Sequence, residues 1–295
     1  MKGIDVYQGD GWPLKSVPGK LYKDSDFVIV KATQGVNYNH TSYFYKMAKK
    51  VLDDGKLLGA YHYAAGHDPV KEADYFVAVV KGYVGKAILC LDWESIQNKA
   101  WGSSTWCTKF IKRVKDMTGI TCFLYTGLDG IRQNKSLANK VPLWFAGYPK
   151  GGAYNSWTLP GFKYDLAPWN AYTIWQFTSS GEKCDRNTSK LTKAQWKSYA
   201  SGQPIKKAYP GKMPVLPKRG YFKYGDGIYA LRSHETQIKR VQQVVNWVMD
   251  FNLKVDGAYG DKTDKAVTRL QERFGLSPNG CFGAKCLKVC KGHKK

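Results

Sequence analysis

Acidic residues are scarce in this 295-residue sequence: 23 Asp and Glu stand against 46 Lys and Arg, a formal net charge of +23. The surplus is spread along the chain, with 27 basic and 16 acidic residues in 1–202 and 19 and 7 in 203–295, so no basic tail carries it. A charge of this size points to a polyanionic partner, and nucleic acid, an anionic membrane surface and an anionic cell-wall polymer all qualify. Histidine is sparse, five in all, with no H-E-x-x-H and no paired His–Cys arrangement. That argues against a zinc hydrolase, and neither a metal nor another cofactor is predicted. The seven cysteines (90, 107, 122, 184, 281, 286 and 290) form no C-x-x-C pair and are odd in number, against both a disulfide framework and a zinc cage. Cys90 and Cys122 sit in apolar runs and read as buried thiols; only Cys286 and Cys290, four apart, have the spacing of a metal pair on a helix. No helix-turn-helix, RNA-recognition or finger signature is present, so no specific nucleic-acid partner is predicted. No apolar run is long enough to span a bilayer. The opening "MKGIDVYQ" enters a strand pattern directly, which predicts synthesis in the cytoplasm without a signal peptide.

What is abundant is apolar and aromatic. Residues 1–201 alternate strand and helix signals. Strands are predicted at "GIDVYQ", "DFVIVKAT", "LLGAYHYA", "AILCLDWE", "TCFLYTG", "PLWFAGY" and "YTIWQFTSSG", and helices at "HTSYFYKMAKKVLDD", "PVKEADYFVAVVKG" and "STWCTKFIKRVKDMTG". The β-α-β-α order implies a parallel sheet. Seven or eight strands in about 200 residues predict an α/β fold, an irregular parallel β/α barrel with few helices on the late strands. An open doubly wound sheet competes, weakened by the lack of a glycine-rich phosphate loop after the first strand. Residues 202–220, with four Pro and three Gly, read as a linker. Residues 221–295 read as a small all-α domain, in which Ile238, Val241, Val245 and Val248 fall at helical spacing. There "VDGAYGDKTDKAV" is echoed 23 residues later by "SPNGCFGAKCLKV", matching Gly257 with Gly280, Tyr259 with Phe282, and Gly260 with Gly283.

The chemistry concentrates in "AILCLDWES", residues 87–95. Side chains alternate along a strand, so Asp92 and Glu94 share a face, with backbones roughly 7 Å apart. Carboxylates after so apolar a run are costly unless solvated, paired or used. Taken alone the pair fits a solvated strand end as well as a catalytic one. Asp5 in "GIDVYQ" and Asp185 in "CDRN" lie at other strand ends, and a closed barrel brings all four to one cleft. Crowding raises the pKa of at least one acid, as glycoside hydrolysis requires of its proton donor. Tyr61, Tyr63, Tyr125, Trp144, Tyr148 and Trp175 lie at or near strand ends and are candidates to line a sugar groove, with Gln176 beside the last.

Residues 1–200 resemble the family 25 glycoside hydrolases, the Chalaropsis-type lysozymes common among phage endolysins. The resemblance rests on "GIDVYQG", "VIVKATQG", "GAYHYA", "LDWE", "LYTG", "LWFAGY", "IWQF" and the Asp of "CDRN", in that order. It implies hydrolysis of the β-1,4 bond between N-acetylmuramic acid and N-acetylglucosamine. Glu94 would be the general acid, Asp92 the residue that orients the 2-acetamido group or stabilises the charged intermediate, and Asp5 and Asp185 supporting carboxylates. Both a substrate acetamide nucleophile and direct attack of water fit these residues. The C-terminal segment resembles a three-helix peptidoglycan-binding domain through "VQQVVNW", "DGAYGDKT" and "AVTRLQERFGL". Its second copy carries Asn279 for the usual Asp and Cys286 for the usual Thr, which predicts a weaker helix cap. The partners implied are peptidoglycan and anionic wall polymers, reached after release from the host cytoplasm. A non-catalytic wall binder on the same barrel is the alternative.

Overall fold

The apolar runs fold as strands because every second residue is covered on each side. β1 (Lys2–Val6), β2 (Phe27–Gln34), β3 (Leu57–Tyr63), β4 (Ala87–Asp92), β5 (Phe123–Thr126), β6 (Leu143–Ala146), β7 (Ile174–Thr178) and β8 (Asp185–Ser189) close into a barrel in chain order. This computed structural model describes residues 1–12, 14–149, 154–179, 184–203, 209–228 and 234–293. They divide into two units, Met1–Pro204 and Ile205–Lys295.

Strands β1 to β7 pair in parallel, and β8 runs antiparallel to both β7 and β1. Six residues separate Thr178 from Asp185, whereas a parallel crossover takes a dozen or more, so the last connection is a hairpin. Phe27, Ile29, Ile88, Cys90, Phe123, Trp144 and Ile174 fill the interior, while Val28, Val30, Leu89, Leu91, Leu124 and Trp175 belong to the outer layer. Two glycines make room inside: a Cβ at Gly3 would meet the Phe27 ring at 2.1 Å, and one at Gly59 would meet Ile29 at 2.9 Å.

Helices α1 (Gly19–Asp24), α2 (Thr41–Asp53), α3 (Pro69–Val80), α4 (Ser104–Thr118), α5 (Leu128–Gln133) and α6 (Lys193–Ser201) complete the unit. Helix α3 starts where Asp68 accepts from the Val70 and Lys71 amides, both at 2.9 Å, with Pro69 in the first turn. Helix α4 ends on Gly119 at φ 73°. Among the described residues no helix joins β6 to β7. Helix α6 closes the amino-terminal end of the barrel: Trp196 packs on Phe27 with ring centroids 4.7 Å apart and donates Nε1–H to the Leu58 carbonyl at 3.0 Å. The opposite end, where the parallel strands finish, is left for a site.

The second unit holds β9 (Tyr221–Phe222), α7 (Glu235–Met249), α8 (Asp261–Arg273), β10 (Phe282–Gly283) and α9 (Ala284–Gly292). β9 and β10 pair antiparallel, a two-residue ladder in an otherwise helical unit. Of the stretch read as a linker, residues 204–208 lie outside those described. Tyr209, Met213 and Leu216 pack against the helical core, so the later part of that stretch belongs to this unit. The 23-residue echo is structural: Gly257 and Gly280 have φ of 82° and 68°, and Tyr259 and Phe282 are fully buried. A buried glutamine locks each turn. Gln242 Nε2 donates to Asp256 Oδ1 (2.9 Å), the Ala258 carbonyl (3.0 Å) and Thr263 Oγ1 (3.1 Å), and its Oε1 accepts from Gly257 N–H at 2.9 Å. Gln271 repeats this with Asn279 Oδ1 (2.9 Å), the Cys281 carbonyl (2.9 Å) and Cys286 Sγ (3.6 Å), and its Oε1 accepts from Asn279 and Gly280 at 3.0 Å. The expectation of a weaker cap is therefore corrected. Gly260 and Gly283 occupy the cap positions, neither with a side-chain cap bond, and Asn279 and Cys286 hold the turn instead.

Candidate active site

Trp93 decides how the strand end of β4 is presented. Fully buried in the outer layer, it stacks on Trp101 and Trp106 (centroids 5.6 and 5.3 Å) and donates Nε1–H to Gln133 Oε1 at 2.9 Å. With Trp93 anchored outward, alternation turns Asp92 and Glu94 inward. Asp92 is 6% exposed, pairs in register with Tyr63 on β3 and Tyr125 on β5, and its Oδ1 has no hydrogen-bond partner among the described residues. Glu94 is half-buried just beyond the strand, where its carbonyl accepts from Asn98 Nδ2 at 2.9 Å.

The hairpin brings the other two acids in. Because β8 is antiparallel, its first residue lies at the same barrel end as the last residues of the other strands, and Asp185 is the register partner of Asp5. Gln176 clamps them. Its Nε2 donates to Asp5 Oδ1 and Oδ2 (2.9 and 3.0 Å) and to Asp185 Oδ2 (3.4 Å), while its Oε1 accepts from the hydroxyls of Tyr125 (2.8 Å) and Tyr148 (2.5 Å). Asn187 Nδ2 adds a 2.6 Å bond to Asp5 Oδ1, and Trp144 Nε1–H holds Asn187 Oδ1 at 2.7 Å.

Burial raises the pKa of all four acids, and repulsion from a neighbouring acid adds to it in Asp92, Glu94 and Asp185. Asp92 is pushed well above the carboxylate range by burial and then by the charge of Glu94. Glu94 is raised by burial and then by Asp5, and Asp185 to about 10 by burial and then by Asp5. Asp5 is raised by burial against the bonds from Gln176 and Asn187. Lys31 opposes the shifts of Asp92 and Glu94. It is 8% exposed, donates to Gln34 Oε1 at 2.8 Å, and its Nζ lies 4.5 Å over the Tyr63 ring and 5.5 Å from that of Tyr38. Burial lowers its own pKa, while Asp92 and Glu94 draw it back up.

The structure thus brings Asp5, Asp92, Glu94 and Asp185 to one barrel end, with Tyr63 and Tyr148 half-buried beside them. Tyr61 and Tyr125 are nearly buried beneath, both packed on Trp144 (centroids 6.1 and 4.5 Å). Three of the residues proposed for the groove are too buried to line it. Trp175 faces the outer layer, between the inward Ile174 and Gln176, and donates to the Gly147 carbonyl at 2.9 Å. Trp144 is 1% exposed and supports the floor; Gln176, also 1% exposed, spends its amide on the acids and tyrosines. Lys31, Asn187 and Asp10 escaped the sequence reading. Asp10, raised to about 6 by burial, accepts from the Tyr7 amide at 2.8 Å. The one available signal was Lys31, a charge inside the run "FVIVKAT". The Cys286–Cys290 pair is buried in the helical core, and no group of three His, Cys, Asp or Glu among the described residues is placed to hold a metal. No helix among them is long and apolar enough to cross a membrane.

Residues 4–185 match the glycosyl hydrolases family 25, and residues 234–289 a putative peptidoglycan binding domain. The autolytic lysozyme of Clostridium acetobutylicum is 27% identical over 289 residues, covering 96% of this chain and 76% of that protein. The N,O-diacetylmuramidase of Chalaropsis sp is 29% identical over 196 residues, 60% of this chain and 87% of that protein. In fold, the barrel unit is similar to the muramidase from Acremonium alcalophilum, with a TM-score of 0.55 at 23% identity over 69% of this chain and all of that one.

Proposed function

The chain belongs to the family 25 glycosyl hydrolases, and from that premise we propose that it is an N-acetylmuramidase of bacterial peptidoglycan in which Glu94 is the general acid and Asp92 the partner of the substrate's 2-acetamido group. The observation that carries the division of roles is the contrast between the two acids. Asp92 is buried and its Oδ1 lacks a partner, an acceptor waiting for an N–H. Glu94 is half-buried at the strand end, and burial with the charge of Asp5 raises its pKa, the direction a proton donor requires. Glu94 gives that proton to the leaving oxygen as the acetamide carbonyl oxygen attacks C1 and the C1–O bond breaks. Asp92 holds the acetamide N–H, and the positive charge that develops on the cyclised intermediate favours its ionised form. Water then attacks C1, the acetamide oxygen leaves, and Glu94 takes the water proton. Asp5 and Asp185 place two further carboxyls beneath the oxocarbenium-like transition state, whose positive charge favours their ionised forms.

The wall as substrate is supported by the peptidoglycan-binding match and by the names of the relatives. The net charge of +23 supports a second, weaker attraction to anionic wall polymers. The test is Glu94→Gln on purified wall, followed by reduction of the new ends and identification of the reduced sugar. Loss of at least about a thousandfold in rate is expected for removal of an acid catalyst that also turns around as base. Reduced muramic acid in the wild-type digest supports the bond assignment. Wild-type clearing by Glu94→Gln, or reduced glucosamine, refutes the proposal. Proton NMR of the first-formed anomer separates the acetamide route (β retained) from direct attack by water.

A further inference from the structure

The two copies of the turn in the helical unit hold the backbone alike and differ in charge. At the 23-residue offset, Asp256, Asp261 and Asp264 of the first copy become Asn279, Ala284 and Leu287 in the second, while Lys262 and Lys265 are matched by Lys285 and Lys288. The second copy has shed three carboxylates and kept both cations. Asn279 keeps the geometry that Asp256 provides: its Oδ1 accepts from the glutamine at 2.9 Å and from the amide two residues on at 3.0 Å, as Asp256 Oδ1 does. Turn formation therefore does not account for the loss of charge.

That uncharged turn borders a hollow of about 570 Å³. Its walls include Tyr221 and Lys223 from the β9 segment, Leu276, Ser277, Asn279 and Lys285, and no Asp or Glu lines it. Asp264 abuts the same turn at Gly280 but is not part of the lining. The amide acceptors in the walls are already engaged, Gln271 Oε1 by the Asn279 and Gly280 amides and Asn279 Oδ1 by Gln271 and the Cys281 amide. The ammonium groups of Lys223 and Lys285, the Ser277 hydroxyl and Asn279 Nδ2 have no side-chain partner among the described residues. Among the described residues the side-chain acceptors left there are the Ser277 and Tyr221 hydroxyls, few for the many hydroxyls of a glycan, whereas a carboxylate needs donors alone. Tyr221, 37% exposed, and Leu276 supply an apolar wall for small side chains.

We propose that this hollow is where the helical unit grips the wall, and that it takes a short peptide through a free carboxylate rather than a glycan strand. The assignment rests on the wall-hydrolase reading above. Its volume is in the range of pockets that hold small ligands, enough for a few residues of a peptide stem.

The test is calorimetric titration of the full chain carrying Glu94→Gln, with three probes: an N-acetylated tetrapeptide ending in a free carboxylate, its C-terminal amide, and a neutral chitin tetrasaccharide. The acid peptide is expected to bind at least about tenfold more tightly than the amide, the worth of one charge-assisted hydrogen bond. Lys223→Glu with Lys285→Glu, both at exposed positions, and Asn279→Asp, which restores the charge of the first copy with the same turn bonds, are each expected to weaken it by a similar factor. Equal affinity for acid and amide, no effect of the lysine reversals, or binding of the tetrasaccharide to the hollow in place of the peptide overturns the proposal. The titration reads binding without turnover, so hydrolysis retained by Glu94→Gln would refute the catalytic reading separately.

Discussion

Replacing Gln176 with Met probes the acid floor most directly, because the side chains are similar in size and only the amide is lost. The change removes three donor contacts to carboxylates, at 2.9, 3.0 and 3.4 Å, and the acceptor of two tyrosine hydroxyls. Two of those contacts are good bonds to Asp5, about 1.5–3 kcal/mol each where the acceptor is charged. The Tyr125 hydroxyl is left buried without an acceptor, roughly 1–3 kcal/mol more; the Tyr148 hydroxyl is half-buried and turns to water. Both contacts to Asp5 come from one amide nitrogen, which reduces the first figure, and the expected loss is about 3–5 kcal/mol. For a domain of about 200 residues that lowers Tm by roughly 10 °C. Asp5 also loses groups that hold its pKa down, so the acid limb of kcat/KM moves to higher pH. Thermal unfolding by circular dichroism and wall-clearing rates from pH 4 to 8 measure both effects. A Tm within about 2 °C of wild type, with an unmoved pH profile, would refute the role of Gln176 as clamp.

Lys31→Met removes the cation that offsets repulsion between Asp92 and Glu94. A unit charge several ångströms away at an effective dielectric near 20 is worth ~1–3 kcal/mol, so the acid limb of kcat/KM should rise by roughly one pH unit. Lys31→Arg should keep most of the wild-type profile, and identical profiles for Met and wild type would sink the idea. Asp185→Asn should stabilise the protein while impairing it. The pKa of Asp185 is raised to about 10, so the stability of its protonated form is full below the unfolded value and drains away as pH rises towards 10. The Tm gain of Asn over wild type should grow by at least about 3 °C between pH 4 and pH 8, the shift that ~1 kcal/mol produces; a gain constant with pH contradicts this. Gly3→Ala forces a methyl to within 2.1 Å of the Phe27 ring, and a loss of about 1–3 kcal/mol is expected in urea unfolding, as for other overpacked cores. Unchanged stability there would mean that the interior yields more readily than its packing indicates.

How much of this was legible beforehand depended on what each residue does besides fold. β1 to β7 announce themselves because both faces of each strand are buried in apolar neighbours. β8, "DRNTS", has no apolar residue, since its inward Asp185 and Asn187 serve the acid cluster and the buried Arg186 donates to the Tyr154 carbonyl at 3.0 Å. The acids could be read as strand ends, but Trp175 was misassigned because position along a strand was weighed without its face. Its neighbour Gln176 shares the strand and points the other way. In the helical unit the fixed 23-residue offset exposed the paired turns. The glutamines that lock them, Gln242 and Gln271, lie 29 apart because the first copy has a longer segment between glutamine and turn, so the same periodicity hid them.

The pairing of Asp5 with Asp185 has a consequence for how the enzyme comes into being. The two acids are joined across the seam where the barrel closes, β1 against β8, some 180 residues apart in the chain. Such long-range pairings form late, since the intervening loop must be closed first. A nascent chain that stops short of β8 has seven strands, two open edges and only three of its four acids. Ring closure and arming are one event, and the ribosome must deliver the last strand before there is anything to restrain.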